Sequence, residues 1–221
     1  MSIRHASEEG FSFPPGSKLE RGSSISRPEF KIKDVPDAPS APSATDVGTG
    51  RALNNGAATV SFTPAATGGA ASSYTVTSSP GSFTGTGASS PVTVTGLQSA
   101  TSYTFSVSAF NTTGSSGSSG SSGSITATTV PAAPTIGSAS VVNATTVSLA
   151  FIAPTSSGGK AITSYAVRSN PSISVSASGT TSPLSITGSF ASGQAYTFTL
   201  AAVNANGTSS YSGASNAVTT N

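Results

Sequence analysis

The stretch Tyr103-Thr-Phe-Ser-Val-Ser-Ala109 decides the fold, and it occurs twice. The second copy, Tyr196-Thr-Phe-Thr-Leu-Ala-Ala202, lies 93 residues further along the chain. In both copies the first, third, fifth and seventh residues are apolar, and in the first copy Ser or Thr fills every position between them. A two-residue period places the apolar side chains on one face of a β-strand. Each copy is therefore predicted to be a strand with one face in a core and the other face in water.

The sequence around these two strands repeats as well. Val35-Pro-Asp-Ala-Pro39 and Val130-Pro-Ala-Ala-Pro134 lie 95 residues apart, and the same succession of apolar strands and polar turns follows each of them. Proline fixes φ and removes a backbone donor, so each segment is predicted to be a short, stiff linker into an edge strand. About seven short strands per repeat, with turn signals every ~8–12 residues, are typical of a β-sandwich.

The first copy sits in the pattern Gly-Leu-x5-Tyr-x-Phe-x-Val-x-Ala-x-Asn, which begins at Gly96. This pattern resembles the fibronectin type III module, in the Ser/Thr/Gly-rich form common in bacterial and phage proteins. The resemblance implies an all-β fold with two tandem seven-stranded, immunoglobulin-like sandwiches, at residues 36–130 and 131–221. Each would have sheets of three and four strands. It also implies a tyrosine corner in each, with the hydroxyls of Tyr103 and Tyr196 bonding to nearby backbone.

Two features depart from the family pattern. The large aromatic residue of the second strand is usually Trp, and here Phe62 and Phe151 stand in its place. Leu97, which precedes the first tyrosine corner, is replaced by Phe190 in the second repeat. Both changes exchange one apolar residue for another, so the predicted cores are retained.

Residues 1–35 differ from the repeats in composition. Of the 16 charged residues in the chain, 12 lie in residues 1–37, and from residue 52 onwards only Lys160 and Arg168 are charged. We interpret the segment as an extended anchoring arm that becomes ordered on a partner, because exposed aromatic side chains make good anchors. The alternative is a disordered tail, which its charge and its proline and glycine content also favour. The candidate partner-binding residues of the arm are Phe11, Phe13, Arg21, Arg27 and Phe30.

The connection between Asn111 and Ser124 contains three consecutive Gly-Ser-Ser triplets. Such a sequence is typical of flexible linkers and presents no fixed array of side chains. We therefore predict a flexible, solvated loop.

The repeats lack the residues that most catalytic sites require. No Asp or Glu follows Asp46, the only histidine is His5, and cysteine is absent. The repeats therefore cannot supply a carboxylate pair, a Ser-His-Asp arrangement, or a zinc or calcium site. We expect no enzymatic activity and no cofactor. We expect neither nucleic acid nor membrane as a partner, because the basic residues of the arm alternate with Glu and no apolar run approaches the ~20 residues that span a bilayer.

The start of the sequence also lacks the apolar region of a secretory signal. A protein that is made in the cytoplasm and exposed after lysis would combine this feature with sandwich modules of a kind usually found outside cells. The first hypothesis is a virion decoration or fibre protein whose arm binds a capsid or tail protein. Its modules would project outward in multiple copies or as a homo-oligomer, with a host surface glycan as a further partner in adhesion. The alternative is a bacterial surface or secreted accessory protein, associated with adhesion or carbohydrate.

Overall fold

A computed structural model of the chain describes residues 34–221, and all of the regular secondary structure in this part is β. The predicted binding residues of the arm, Phe11, Phe13, Arg21, Arg27 and Phe30, lie outside the described residues. Lys33–Asn221 forms one compact unit, which contains two hydrophobic cores. The boundary between residues 130 and 131 stays a prediction.

The first repeat folds into the predicted sandwich of seven strands. Its sheets have the strand orders β1-β2-β5 and β4-β3-β6-β7, and all pairs are antiparallel. The strands are β1 (Ser43–Asp46), β2 (Gly56–Ser61), β3 (Ser73–Ser79), β4 (Thr84–Gly87), β5 (Val92–Leu97), β6 (Ser102–Phe110) and β7 (Ile125–Thr126).

The second repeat forms a sandwich with two differences. Its fourth strand pairs with β12, whereas β4 in the first repeat pairs with β3. This strand carries Val175 and Ala177, which pack against the second core, whereas β4 contains only Thr and Gly. A two-residue strand, β14, is also added, so the sheets are β11-β12-β9-β8 and β10-β13-β14 with β15 beside β13. The strands are β8 (Thr135–Asn143), β9 (Thr146–Ile152), β10 (Ile162–Asn170), β11 (Val175–Ser178), β12 (Leu184–Gly188), β13 (Ala195–Asn204), β14 (Gly207–Thr208) and β15 (Val218–Thr219).

The two central strands, β6 and β13, have the predicted alternation. Tyr103, Phe105, Val107 and Ala109 are at most 2 % exposed, while the Ser and Thr residues that separate them are half-buried. In β13, Tyr196, Phe198, Leu200 and Ala202 are buried in the same way, and Thr197 and Thr199 between them are half-buried. The predicted strand register is therefore confirmed.

An aromatic pair across the two sheets completes each core. The rings of Phe62 and Tyr74 lie 4.8 Å apart, and those of Phe151 and Tyr165 lie 4.5 Å apart. Tilted and edge-to-face rings at this distance add about 0.5–1.5 kcal/mol to the hydrophobic gain. Two phenylalanines thus pack against tyrosine where the family pattern has Trp.

The Gly-Ser-Ser segment is not a flexible loop, and that prediction was wrong. The backbone N–H group of every third residue in this segment donates to a carbonyl of β6, and the three accepting carbonyls belong to alternate residues of that strand. Each of these hydrogen bonds is 2.8 Å long. The N–H groups of the same β6 residues donate back to the serine Oγ atoms at 2.8–2.9 Å. We call Ser116, Ser119 and Ser122 the first serine ladder. These serines pair with Ala109, Val107 and Phe105 of β6, respectively.

The second repeat contains the same arrangement with a different sequence. The second serine ladder pairs Ser209 with Ala202, Ser212 with Leu200, and Ser215 with Phe198. In both ladders each serine hydroxyl also donates to the carbonyl of the next residue, at 2.7–2.8 Å. Each serine therefore satisfies both backbone groups of one residue on the central strand, and its hydroxyl is held in place while it does so.

Candidate functional site

The two predicted corner tyrosines occupy the same place in the two repeats. The Tyr103 hydroxyl accepts a hydrogen bond from the backbone N–H of Gln98 at 3.0 Å, and the Tyr196 hydroxyl accepts one from Ala191 at 3.0 Å. Both side chains are nearly inaccessible, at 2 % and 3 % exposure. Each hydroxyl thus ties the turn before the central strand to that strand. Its role is structural, since the phenol is covered.

Polar side chains at the junction of the two repeats form a buried hydrogen-bond network. Asn204, at the end of β13, donates through Nδ2 to the carbonyls of Thr129 and Ser157, each at 2.8 Å. Its Oδ1 accepts from the N–H groups of Asn206 and Gly207 at 2.8 and 3.2 Å. One buried amide therefore holds the linker and the turn after β13 together.

A second amide extends this network into the first repeat. Asn206 Nδ2 donates to Thr128 Oγ1 at 2.8 Å, and Thr128 Oγ1 donates in turn to a carboxylate oxygen of Asp46. The other carboxylate oxygen accepts from the Thr128 N–H at 3.0 Å. The last acidic residue in the sequence is thus part of the junction. Hydrogen bonds to charged groups contribute about 1.5–3 kcal/mol each, so this contact is among the stronger polar ones.

The loop after β1 packs closely on the same network. The N–H of Gly50 donates to the Asn206 carbonyl at 2.8 Å, and the N–H of Val130 donates to the Arg51 carbonyl at 2.9 Å. A Cβ at Gly48 would overlap Thr128 Oγ1 and lie 2.6 Å from Asn206 Nδ2, so this close approach requires glycine.

The start of the first repeat has the same arrangement. Asn111, the counterpart of Asn204, donates through Nδ2 to the Asp34 carbonyl at 2.8 Å. The N–H of Gly69 donates to the Val35 carbonyl at 2.9 Å. Residues 34 and 35 were predicted to belong to the arm, and the structure places them against the first repeat. The side chain of Val35 remains 42 % exposed beside them.

A cavity of about 300 Å³ lies at this same end of the first repeat. Pro36, Asp37, Tyr74, Ala109 and the turn at residues 65–71 line it. The counterpart of Tyr74 in the second repeat is Tyr165, and burial raises the pKa of its hydroxyl above the usual value of 10.0. Small side chains dominate the lining, and Asp37 supplies its only charge.

One charged contact stands out on the surface of the second repeat. The guanidinium carbon of Arg168 lies 4.0 Å from the centre of the Tyr211 ring. Tyr211 lies between Ser209 and Ser212 of the second serine ladder, and Arg168 is on β10. The sequence alone does not indicate this pair, because the two residues are 43 positions apart.

Within residues 34–221, no cluster of three or more His, Cys, Asp or Glu residues could hold a metal ion. The same part of the chain contains no helix with the length and apolarity of a membrane-spanning segment.

The fold and the tyrosine corners together define the class of protein. The described chain consists of two immunoglobulin-like β-sandwiches with a polar junction between them. Residues 38–124 match the family described as "Fibronectin type III domain". The first repeat therefore matches the fibronectin type III domain, and the second repeat is also an immunoglobulin-like sandwich. No curated protein matches the chain.

Three solved structures are similar to the chain at low identity. The structure of titin kinase and its flanking domains is 19 % identical, with a TM-score of 0.35; the match covers 53 % of this chain, which spans 27 % of the titin chain. Titin domains A168–A170 are 19 % identical, with a TM-score of 0.44 and coverage of 85 % of this chain and 67 % of theirs. The FN1–FN3 domains of chicken CNTN1 are 17 % identical, with a TM-score of 0.41. The match covers 84 % of this chain and 67 % of the CNTN1 chain.

Proposed function

We propose that the chain is a non-enzymatic structural protein of a phage particle, a decoration or fibre protein of the capsid or tail. It is anchored through residues 1–35 and projects its sandwiches outward. The observation that carries this proposal is the segregation of charge, because 11 of the 16 charged residues lie in residues 1–35. Specific docking needs charged or hydrogen-bonding groups that reject wrong partners. The arm is rich in such groups, and the sandwiches offer few.

The way the chain enters the first repeat supports an anchoring role for the arm. Asn111 and Gly69 hold Asp34 and Val35 in the manner in which Asn204 holds Thr129 at the junction. At the junction this arrangement connects one folded repeat to the next. At the start of the first repeat it holds residues 34 and 35, through which the arm is connected to that repeat.

The edges of the sandwiches support an exposed, repeated arrangement. Unpaired strand edges promote pairing between copies, which is a hazard wherever many copies stand close together. In this chain the outer edges of β6 and β13 are hydrogen-bonded to the two serine ladders. Copies crowded on one particle would therefore find these edges already occupied.

The test compares particles assembled with the full chain and with residues 34–221 only. We expect the truncated protein to keep its β-sheet circular dichroism but to be missing from purified particles, as measured by quantitative mass spectrometry. A finer variant replaces Phe11 and Phe13 by Ala in the full chain, and its matched control is Ser12→Ala. The double variant should lower occupancy at least tenfold, and the control should leave it unchanged.

Two results would contradict the proposal. Full occupancy of the truncated protein would place the anchor in the sandwiches. A full-length protein that joins no particle, but is recovered from a bacterial surface or culture medium, would favour the alternative of an accessory protein outside the cell.

A further inference from the structure

The pair Arg168 and Tyr211 is an exposed cation–aromatic contact on an otherwise neutral surface. Arg168 and Lys160 are the only charged residues after Arg51. Arg168 pairs with Thr199 of β13 in the sheet register, and Tyr211 lies beyond that strand, on the second serine ladder. The arginine side chain therefore extends across β13 to reach the ring. A contact of this kind favours one orientation of the guanidinium, whereas an isolated surface arginine would sample many rotamers.

The guanidinium has no acceptor among the described residues. Arg51 donates to the backbone and side chain of Asn55, whereas Arg168 makes no hydrogen bond within residues 34–221. No Asp or Glu occurs after Asp46, so the second repeat contains no acidic side chain. A guanidinium carries five N–H donors in a planar fork that matches a carboxylate. The guanidinium N–H groups of Arg168 are therefore free to donate to an acceptor outside the described residues.

The first repeat shows that the fold does not need this pair. The positions that correspond to Arg168 and Tyr211 are Thr77 and Ser118, on the same strand and on the first serine ladder. Both repeats form the same central strand pair, β3 with β6 and β10 with β13, and the same ladder with these different residues. The pair is therefore an addition to the surface of the second repeat that the sandwich does not require.

We propose that Arg168 and Tyr211 form a binding point for the carboxylate of an acidic sugar, such as a sialic or uronic acid in a surface polysaccharide. This inference rests on the proposed function only in taking a host surface as the source of the sugar. The guanidinium binds the carboxylate through two parallel N–H groups, and the ring holds the guanidinium in place.

The surroundings of the pair favour a sugar over other anions. Thr199 lies opposite Arg168 in the register, and Thr197 lies opposite Asn170 on the same outer face. These hydroxyl and amide groups can donate to and accept from sugar hydroxyls. A peptide ligand would pair with an open strand edge or place its side chains in apolar pockets. The second serine ladder occupies the edge of β13 beside Tyr211, whereas the outer edge of β10 has no paired strand among residues 34–221, so a peptide has to be tested directly. Hydroxyl groups surround the one cation on this face, and this favours a sugar.

The experiment measures binding of the purified full-length chain to defined polymers by biolayer interferometry in 0.15 M salt. The polymers are polysialic acid, polygalacturonate, dextran sulfate, poly-L-glutamate and neutral dextran. Arg168→Thr and Tyr211→Ser introduce the residues of the first repeat, so both variants are expected to fold. Lys160→Thr is the matched control, because it removes the same charge from another exposed site. Arg168→Lys keeps the charge and loses the planar fork.

We expect one of the two carboxylated polysaccharides to bind at least tenfold more tightly than neutral dextran. Arg168→Thr should weaken that binding at least tenfold, Tyr211→Ser and Arg168→Lys about threefold or more, and Lys160→Thr less than twofold. The polymer that binds identifies the sugar as sialic or uronic acid.

Three results would overturn the proposal. Equal losses in Arg168→Thr and Lys160→Thr would mean that net charge alone is responsible. Equal binding of dextran sulfate or poly-L-glutamate would show an unselective anion site or a peptide site. Failure of both carboxylated polysaccharides to bind would show that Arg168 and Tyr211 do not form a binding point for an acidic sugar. Each result is independent of attachment to a particle, so the anchoring role of residues 1–35 is tested separately.

Discussion

Replacing Ser119 by Ala tests whether the serine ladder is part of the folded structure. The Ser119 hydroxyl accepts from the Val107 N–H at 2.9 Å and donates to the Gly120 carbonyl at 2.8 Å. Each of these hydrogen bonds contributes about 1 kcal/mol net. Val107 is fully buried, so water cannot replace the lost acceptor of its N–H group. Leaving a buried donor unpaired costs about 1–3 kcal/mol. We therefore expect Ser119→Ala to lower the free energy of unfolding by about 2–3 kcal/mol.

The assay is urea unfolding of the full-length chain, followed by far-ultraviolet circular dichroism. With a slope of about 1–3 kcal/mol per molar urea, the loss corresponds to a midpoint lower by about 1 M or more. The matched control is Ser118→Ala, one residue away, because Ser118 is exposed and uses its hydroxyl for no hydrogen bond among the described residues. The control should change stability by less than about 0.5 kcal/mol.

The two variants separate a ladder from a flexible loop. In a loop, Ser118 and Ser119 are equivalent, and neither substitution would matter. Equal midpoints for Ser119→Ala and Ser118→Ala would therefore refute the assignment of the ladder as a hydrogen-bonded edge. Ser119→Thr keeps the hydroxyl and should recover at least half of the lost stability.

Three further predictions concern the cores and the junction. Phe198→Ala removes a fully buried ring from the second core and should cost about 3–5 kcal/mol in urea unfolding. Tyr196→Phe removes the acceptor of the Ala191 N–H and should cost about 1–2 kcal/mol in the same assay, and no loss would mean that the corner is dispensable. Asn206→Ala breaks the contact with Thr128 and should speed amide hydrogen exchange at Thr129 and Val130 at least tenfold. Unchanged exchange would show that the junction does not depend on the side-chain amide of Asn206.

The sequence predicts the core because a strand with one buried face has a simple two-residue period. Tyr103 and Phe198 are buried as their positions in that period require, and the internal repeat doubles the signal. Turn residues between the apolar runs then define the number of strands. The sequence does not predict which sheet β11 joins, because a four-residue strand with one Val and one Ala fits either sheet.

The serine ladders could not be predicted from composition. A Gly-Ser-Ser repeat is typical of flexible linkers, and its three-residue period matches neither a β-strand nor an α-helix. The useful signal was the spacing shared by the two repeats, since Ser116, Ser119 and Ser122 align with Ser209, Ser212 and Ser215. In the second repeat Ser210, Tyr211, Ala214 and Asn216 replace other residues of the triplets, whereas the serine at every third position is kept.

The junction was also inaccessible to sequence analysis, for a different reason. Asp46, Thr128 and Asn206 are far apart in sequence, and each is an ordinary surface residue by type. Only their contact in the folded chain makes them a buried network. The same holds for Arg168 and Tyr211, which come together because the second serine ladder runs beside β13.

The serine ladders also cover one strand edge in each sandwich without using charge. Proteins commonly protect edge strands with charged side chains, Lys above all, or with proline and bulges. From residue 52 onwards this chain has two charges, and neither lies on a ladder. Instead, each ladder serine occupies the outward N–H and C=O groups of a central-strand residue and anchors its own hydroxyl to the next carbonyl. No buried side-chain polar atom in the described part of the chain is left without a partner. Protection by hydrogen bonding leaves the surface neutral, and on a neutral surface a single positioned arginine can define where an acidic ligand binds.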